Sequence, residues 1–508
     1  MNDDDPACAS HRDHKTTSTP HESPRETRVI IGPDPVPVSD TYLRIVSARS
    51  AQVERDLGPA TKAAEDPCHS EGSGISGAIN GSLDDVQDYT GAPADVVDLI
   101  EQIVDGLRDE LVALSDDLHA HPETAFEEHR SAARIAEVLA GHDIAVRTGA
   151  HDCDTALRAE LTGVASVSDP VPPSQRSIAV LSEYDALPQI GHACGHNVIA
   201  TAGLGAFLAL VELERTHPGA IPGRVVYLGT PAEEGHTGKE VMARAGAFDG
   251  LDAAIMVHPF AQDIASQPWL GRRVLSVVFH GLSAHASAQP FMGRNALDAA
   301  SLMYQGLGLL RQQMPPCDRL HAVIREGGDR ASVIPDRAVL DLYVRSLYPE
   351  TLRELSQRVE DVARGAALMT GCGLDLAWDR CHPSLPVRTN SALTSRWVRA
   401  QQRRGRTPLS EHAAPRTTLA STDFGNVSFR VPGIHPLIGI TGGAPCGLHT
   451  PEFAQAAATE HAHRAIADAA FGLAVTALDF LRDDDLAARV IAEFEADGGA
   501  IDVPHFFD

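Results

Sequence analysis

The sequence predicts an α/β fold: a mostly parallel sheet flanked by helices, with an inserted α+β domain. Short apolar runs of strand length alternate with helical patterns along most of the chain. This alternation is typical of a parallel sheet that helices cover on both faces. Three of the runs, at 176–185, 223–235 and 252–259, end in polar residues. Because ligands gather at the carboxyl ends of parallel strands, we expect these polar residues to form one site.

Each element of the parallel part follows from its own pattern. Residues 94–118 and 127–140 carry apolar side chains at helical spacing, and a Gly- and Ala-rich helical pattern runs from 198 to 213. The three apolar runs are typical of strands buried on both faces. The pattern resumes near 388 and ends in a helix at 457–482.

The inserted segment has a different order of elements. It predicts a small α+β domain that interrupts the first one. Its predicted elements are a strand at 272–281, a helix at 295–313, a strand at 338–347, a helix at 350–369 and a strand at 374–379.

The domain organisation follows from these patterns. We predict a catalytic domain in two parts, 93–271 and 381–485, with the inserted domain at 272–380 and a tail at 486–508. Residues 1–92 are rich in Asp, Ser, Thr, Pro, Gly and His and poor in aromatic residues. That composition predicts a mostly disordered acidic segment.

Composition limits the function. The 508 residues include 42 Lys and Arg against 69 Asp and Glu, a formal charge of −27, which argues against binding to nucleic acid or an anionic membrane. No apolar run is expected to cross a bilayer, and the N-terminus lacks the order of a secretory signal. The eight cysteines show no framework spacing, so we expect reduced thiols in a cytoplasmic protein.

The motif HACGHN (192–197) contains two candidate metal ligands. Cys194 and His196 flank a glycine that lets both side chains approach one point. Thiolate and imidazole are good ligands for a borderline-soft divalent cation. A buried cysteine and a capping histidine would explain the motif equally well.

Two further motifs follow strand ends. TPAEEG (230–235) supplies Glu233 and Glu234, whose side chains point apart, so one can bind metal while the other moves protons. The alternative is a solvated acidic loop or a helix N-terminus. MVHP (256–259) supplies His258 as a candidate ligand at the end of an apolar run. The alternative is a histidine with a purely structural role.

A last motif follows a Gly-rich loop. GLHTPEF supplies His449, with Glu452 near enough to hold its other ring nitrogen. The combined candidate ligands are Cys194, His196, Glu234, His258 and His449.

Five ligands are too many for one tetrahedral zinc with an open position. They suit two metals ~3.5–4 Å apart that share one ligand and a water. Such a pair activates the water and polarises a carbonyl, and Glu233 remains to carry the proton to the leaving amine. The set therefore predicts amide hydrolysis. Zn²⁺ fits these ligands, with Mn²⁺ or Co²⁺ as alternatives.

The ordered motifs resemble those of the co-catalytic metallopeptidases, which include aminoacylase, glutamate carboxypeptidase and bacterial dipeptidases. More narrowly, they resemble the amidohydrolase branch in which a cysteine replaces the metal-bridging aspartate. STDFGNVSFRVPGIHP (421–436) is similar to the subgroup of aminobenzoyl-glutamate hydrolase and β-alanyl-lysine dipeptidase. The motifs behind the resemblance are LHAHPETAFEE (118–128), EYDALPQIGHACGHN (183–197), GTPAEEG (229–235), MVHP (256–259), GLSAHASAQPFMGRNALDA (281–299) and CGLHTPEF (446–453).

The resemblance implies a zinc-exopeptidase-like fold and a role for each matching residue. Cys194 would bridge the metals as a thiolate, Glu233 would be the general base, and Asp185 would orient a group of the metal site. Glu183 stands where the broader family carries a ligating histidine. His196 is expected to compensate.

The resemblance also makes the inserted domain a lid that mediates homodimerisation. His285 would stabilise the oxyanion, often across the dimer, and Asn295 and Arg345 would touch the substrate. The alternative interpretation of Arg345 is a surface ion pair. The alternative interpretation of Asn295 is a helix N-cap. The loop with Gly442 and Gly443 would offer backbone N–H groups to a substrate carboxylate.

The sequence thus predicts a two-metal hydrolase that cleaves a small dipeptide or N-acyl amino acid. Two alternatives stay open. One is a degenerate member of the same fold that binds a ligand or partner without turnover. The other is an exopeptidase that acts on longer peptides.

Overall fold

The fold is described from a computed structural model, which covers Thr41 and residues 90–163, 176–409 and 420–508. The described residues from 90 onwards belong to one compact unit. The prediction for residues 1–92 lies outside the described residues, apart from Thr41 and 90–92. The predicted fold class is confirmed within the described part: one sheet is mostly parallel and flanked by helices, and a second sheet is antiparallel.

The first sheet has six strands in the order β1-β2-β4-β3-β5-β11. Four neighbours, from β4 through β3 and β5 to β11, pair in parallel, whereas β2 runs antiparallel to β4 and β1. A short parallel pair, β6 and β12, extends the strand exits. These strands are β1 (Val146–Thr148), β2 (Leu157–Thr162), β3 (Ser177–Ser182), β4 (Arg224–Gly229), β5 (Ala253–Ile255), β6 (His258–Phe260), β11 (Gly433–Ile434) and β12 (Leu437–Gly439).

The second sheet is antiparallel throughout, in the order β10-β7-β9-β8. Its strands are β7 (Gly271–His280), β8 (Arg319–Glu326), β9 (Arg337–Ser346) and β10 (Gly373–Trp378). Two helices, α5 (Ala296–Leu310) and α6 (Pro349–Thr370), pack on one face through apolar side chains such as Leu275, Leu340 and Val359. We call this unit of sheet and helices the lid; its predicted boundaries at 272 and 380 stay a prediction.

The helices around the first sheet bury its apolar side chains. Helix α3 is the most deeply buried, between α1, α10 and strand β3. It is long and apolar enough to cross a membrane, but 94% of its apolar window is buried in the protein, as expected of a core helix. The helices are α1 (Ala94–Ala120), α2 (His129–Gly141), α3 (His196–Thr216), α4 (Gly238–Arg244), α7 (Ser391–Arg403), α8 (Phe424–Ser428), α9 (Pro451–Ala456), α10 (Glu460–Arg482) and α11 (Asp484–Ala496).

Three short 3₁₀ helices complete the described elements, at Pro290–Met292, Arg311–Gln313 and Val503–His505. The last of them, with α11, occupies the segment that the sequence predicts as a tail.

The sequence patterns missed β8 and the antiparallel edge formed by β1 and β2. Strand β8 lies at the edge of the lid sheet, where most of its residues are at least partly exposed. Strand β1 has only three residues, none of them buried. Edge strands need few apolar side chains, so hydrophobic periodicity gives little signal for them.

Candidate metal centre

The predicted ligands leave elements that end at one edge of the first sheet. Cys194 lies two residues before His196, which is the first residue of α3, and His258 begins β6. The intervening Gly195 has φ 79°, and a Cβ there would lie 2.6 Å from Pro259 Cγ. Only glycine fits this turn without strain.

The structure brings all five candidate ligands together. The Cys194 Sγ atom lies 3.4 Å from His258 Nε2. The Glu234 Oε1 atom lies 3.9 Å from His196 Nε2 and 3.3 Å from His449 Nε2.

These atoms divide into overlapping donor groups. One group is Cys194, His196 and His258, and another is Cys194, Glu234 and His449; within each group, one atom from each residue lies within 4.8 Å of the others. Cys194 belongs to both groups, as a ligand shared by two cations would. His196, Glu233 and Glu234 form a third such group.

The protonation state of His258 suits a metal ligand. Its Nδ1 donates to the Pro259 carbonyl at 2.7 Å, which leaves the Nε2 lone pair facing Cys194. Burial, followed by the charge of His196, lowers the pKa of His258 to about 3. A neutral imidazole with a fixed tautomer is the form that binds metals.

Several buried atoms around this point have no hydrogen-bond partner among the described residues. They are His196 Nε2, Glu234 Oε1 and Glu183 Oε2. Buried polar atoms are almost always paired, so three unpaired atoms at one place indicate a missing positive partner. Together with the thiol, imidazole and carboxylate donors, they fit divalent metal ions.

Asp185 holds two members of the cluster in place. Its Oδ1 lies 3.0 Å from His196 Nδ1, and its Oδ2 accepts the Glu234 backbone N–H at 2.8 Å. Burial opposes ionisation of Asp185, but the charge of His196 and these hydrogen bonds keep its pKa below the usual value. The carboxylate therefore orients a ligating histidine, as carboxylates behind metal ligands commonly do.

Glu233 is the one carboxylate of the motif that faces the cluster without a predicted ligand role. Burial raises its pKa well above the usual range, and the negative charges of Glu234, Glu183 and Asp423 add to the effect. A general base works best when its pKa is shifted towards the working pH. The preceding Ala232 has φ 60° and donates its N–H to Glu128 Oε1 at 2.9 Å, so Glu128 fixes this turn.

The sequence reasoning missed a buried charge cluster beside the site. The Lys239 ammonium contacts Glu183 and lies 2.6 Å from Asp423 Oδ1. All three side chains are at most 1% exposed. Glu183 Oε2 lies 3.6 Å from His196 Nε2, so the cluster adjoins the metal ligands. The sequence hinted at this cluster only through Lys239, a charged residue that follows the Glu233–Glu234 pair by five positions.

The predicted oxyanion-stabilising residue His285 and the predicted substrate-binding residues Asn295 and Arg345 belong to the lid and to none of the donor groups. His285 is exposed, and its Nδ1 accepts N–H groups of Ser287 and Ala288 at 3.3 and 3.2 Å. The Asn295 Oδ1 atom accepts the Leu297 backbone N–H at 2.9 Å and so caps α5. This is the N-cap role that the sequence offered as the alternative to substrate binding. Arg345 is partly buried on β9.

The predicted glycine loop lines a cavity and belongs to none of the donor groups. Gly442 and Gly443 have φ 65° and 87° and line a cavity of about 750 Å³ whose lining contains none of the candidate ligands. His449 is half exposed. The sequence analysis expects Glu452 to hold one of its ring nitrogens, but the described residues contain no hydrogen bond between the two side chains.

The fold and this donor set define the class of a metal-dependent hydrolase. The chain belongs to the peptidase family M20/M25/M40, whose model matches residues 171–471. It is 38% identical over 395 residues to the Xaa-Arg dipeptidase of Mus musculus. This alignment covers 77% of the present chain and 90% of the mouse protein. It is 32% identical over 311 residues to a p-aminobenzoyl-glutamate hydrolase polypeptide of Escherichia coli, covering 57% and 62%.

Solved structures show the same fold. An aminobenzoyl-glutamate utilization protein from Klebsiella pneumoniae superposes with a TM-score of 0.56 at 19% identity, covering 74% of this chain and 98% of that one. A dinuclear metal-binding peptidase of the M20 family from Bacillus subtilis gives a TM-score of 0.54 at 20% identity, covering 72% and 98%.

Proposed function

We propose that this protein is a two-metal hydrolase that cleaves the amide bond of a small dipeptide or N-acyl amino acid. The observation that carries the proposal is the pair of donor groups that share Cys194. The names of the mouse and Escherichia coli relatives, a dipeptidase and an aminobenzoyl-glutamate hydrolase, support this substrate class.

The residues suit a hydrolytic mechanism. Two divalent cations held by Cys194, His196, Glu234, His258 and His449 would supply Lewis acidity to the substrate carbonyl and acidify the attacking water. Zn²⁺ is the first candidate, with Mn²⁺ and Co²⁺ next.

Glu233 moves the proton. Its carboxylate takes a proton from the attacking water and then delivers it to the departing amine. The raised pKa of Glu233 favours this proton transfer because it makes the carboxylate a stronger proton acceptor. Asp185 keeps the His196 ring oriented throughout.

Substrate binding in this proposal uses the lid. Arg345, on β9, binds the free carboxylate of the substrate, aided by Asn295 and the backbone at Gly442 and Gly443. Because His285 is exposed here, we propose that it stabilises the oxyanion in the site of the other protomer of a homodimer. The six cysteines of the described residues form no disulfide with one another, which supports a cytoplasmic location.

The deciding experiment compares wild-type protein with Glu233→Gln. Both are loaded separately with Zn²⁺, Mn²⁺ and Co²⁺ and given acyl-glutamates, β-alanyl dipeptides, dipeptides with basic C-terminal residues and matching tripeptides. We expect the variant to lose about 10²–10⁴-fold in rate. Its metal content should not change. Unchanged hydrolysis by Glu233→Gln would contradict the mechanism, and a preference for tripeptides would favour the longer-peptide alternative.

A second variant tests the shared ligand. Cys194→Ser removes the soft charged donor, so the protein should lose metal on dialysis, as measured by mass spectrometry. Cys372→Ser, in the lid, is the matched control and should retain it. Equal metal content in the two variants would contradict the role of Cys194.

A further inference from the structure

The turn at 123–128, with the sequence ETAFEE, is attached to both strand exits that carry the carboxylates of the proposed mechanism. The carbonyl of its first residue accepts the Ala186 backbone N–H at 2.7 Å. The carboxyl group of its last residue, Glu128, accepts the Ala232 N–H at 2.9 Å. Because Ala232 directly precedes Glu233, the second attachment reaches the backbone next to the proton-carrying side chain.

The side chain of Glu128 is not used by its own helix. Glu128 occupies the N-cap position of α2, but its carboxyl group caps none of the described N–H groups of that helix. Glu123 does so instead, and accepts the backbone N–H groups of Arg130 and Ser131 at 3.0 and 2.7 Å. Helix capping therefore does not explain why a carboxyl group stands at position 128.

Both oxygens of Glu128 are held in the protein interior. The residue is 0% exposed, and its Oε2 atom lies 2.8 Å from the hydroxyl oxygen of Thr155, which is 1% exposed. Burial, followed by the negative charge of Asp185, raises the pKa of Glu128 to about 8. At neutral pH the group is therefore mostly an uncharged acid, whose shape and polarity a glutamine reproduces.

The backbone that Glu128 holds is strained. Ala232 has φ 60°, in the left-handed region, which is unfavourable for a residue that carries a Cβ. Its carbonyl accepts the Gly238 N–H at 2.9 Å, so hydrogen bonds fix the residue on both sides. Such strain persists only where the surroundings impose it, and it is concentrated at functional sites. If Ala232 relaxed, the chain would leave the turn in another direction and carry Glu233 with it.

We propose that Glu128 is a positioning residue that holds the carboxylate of Glu233 at the metal centre through the strained backbone of Ala232. This inference rests on the proposed function and adds a residue to it. Glu128 acts through a backbone amide and not on the reacting atoms. Its loss should therefore slow the chemical step more than it weakens substrate binding.

The test compares the wild type with Glu128→Leu and Glu128→Gln, all loaded with the same metal and given the best substrate of the screen above. The leucine variant should lose about 10–100-fold in kcat with KM nearly unchanged, since a small displacement of a catalytic group has an effect of this size. The glutamine variant keeps an acceptor for the Ala232 N–H and should recover most of the rate. Metal content should be equal in all three, because no ligand is changed.

Glu214→Leu is the matched control. Glu214 is also a buried carboxylate that holds backbone N–H groups, those of Gly219 and Ile221, both at 2.8 Å. It lies near the far end of α3, ~27 Å along the helix from His196. This variant should lose stability and keep the wild-type kcat.

Thr155→Val is a milder second variant. It keeps the shape of the side chain but removes the hydroxyl group that holds Glu128 Oε2. We expect a smaller fall in kcat in the same direction. If Glu128→Leu does not fold, this variant decides the question, and an unchanged kcat overturns the proposal.

Hydrogen exchange gives a readout that does not need turnover. Peptides covering 230–235 should exchange faster in Glu128→Leu and in Thr155→Val, with α3 unchanged, because the Ala232 amide is held less firmly. That result supports the positioning role even if no substrate is hydrolysed, in which case the proposed function alone fails.

Three results overturn the proposal: unchanged exchange at 230–235, a kcat of Glu128→Leu equal to that of Glu214→Leu, or a glutamine variant no faster than the leucine variant. If hydrolysis is still lost in Glu233→Gln, the proposed function survives each of them.

Discussion

At the scale of single residues, the most unusual group near the site is the buried ammonium of Lys239. Burial opposes its charge, but Asp423 and Glu183 together raise its pKa above the usual value, so the lysine stays charged. Removing one partner of a buried ion cluster leaves the others uncompensated, which costs more than the cluster itself contributes.

We therefore expect Lys239→Met to destabilise the protein by about 3–5 kcal/mol. Denaturant unfolding of the metal-free protein measures this effect directly. The double variant Lys239→Met/Glu183→Gln removes a negative charge as well, and it should recover part of the lost stability. If Lys239→Met were as stable as the wild type, the uncompensated charges of Glu183 and Asp423 would not have the predicted effect on the free energy of unfolding.

Asp318 offers a pH test well away from the metal ligands. Burial raises its pKa to about 6 despite a hydrogen bond from the Ser346 hydroxyl at 2.7 Å, and its other oxygen has no hydrogen-bond partner in the part of the chain that the structure describes. The folded state therefore binds a proton more tightly than the unfolded state, whose pKa is near 3.8. By linkage, this group contributes stability below pH ~4 that is lost as the pH rises to ~6.

Asp318→Asn should abolish that part of the pH dependence, because the amide keeps a hydrogen-bond acceptor but cannot ionise. The difference in unfolding free energy between variant and wild type should grow in favour of the variant from pH 4 to pH 6, by at most about 3 kcal/mol. Chemical denaturation at several pH values measures it. A constant difference across this range would contradict the assignment.

At the scale of elements, the position of the site depends on how closely α3 approaches β3. A Cβ on Gly203 would lie 2.5 Å from the Leu181 carbonyl oxygen and would also collide with the Ser182 hydroxyl. Backbone atoms cannot move aside as a side chain can. Since His196 begins the same helix, any displacement of α3 also moves a metal ligand.

Gly203→Ala should thus destabilise the protein by roughly 1–3 kcal/mol. It should also weaken metal retention. Gly106→Ala is the matched control: Gly106 lies inside α1 with nothing within 4 Å of the added methyl, so this change should stabilise the protein by about 0.5–1 kcal/mol. Thermal unfolding and metal content of both variants give the comparison, and equal effects would refute the close-packing argument.

The elements also show how far a sequence can predict such a site. Strand exits are local features, and Glu233, Glu234 and His258 follow apolar runs whose parallel pairing brings their ends together. The partnership of Lys239 with Asp423 spans 184 positions, and no local pattern announces it. The pairing of Arg272 with Arg345 depends on the register between β7 and β9, two strands that lie far apart in the sequence, and hydrophobic periodicity alone does not fix that register.

At the scale of the whole molecule, the C-terminal segment joins the lid to the body of the first sheet. On the body side, Ile501 N donates to the Phe429 carbonyl at 3.0 Å, and Arg244 donates to Pro504 O at 3.3 Å. On the lid side, Arg273 lies between the rings of Trp378 and Phe507, at 4.2 and 4.3 Å from their centroids. A segment held at both ends restrains the movement of one part against the other.

Phe507→Ala should loosen the lid. Losing a partly buried ring and a cation–π contact should cost about 1–2 kcal/mol. Because the contact is with Arg273 on β7, we expect faster hydrogen exchange at the start of β7 and the end of β10, with exchange in α3 unchanged. Ile491→Ala, which shortens a 43% exposed side chain on α11, is the control and should alter neither. Faster exchange throughout the molecule would mean that Phe507 stabilises the fold as a whole, whereas unchanged exchange in β7 and β10 would mean that the segment does not restrain the lid.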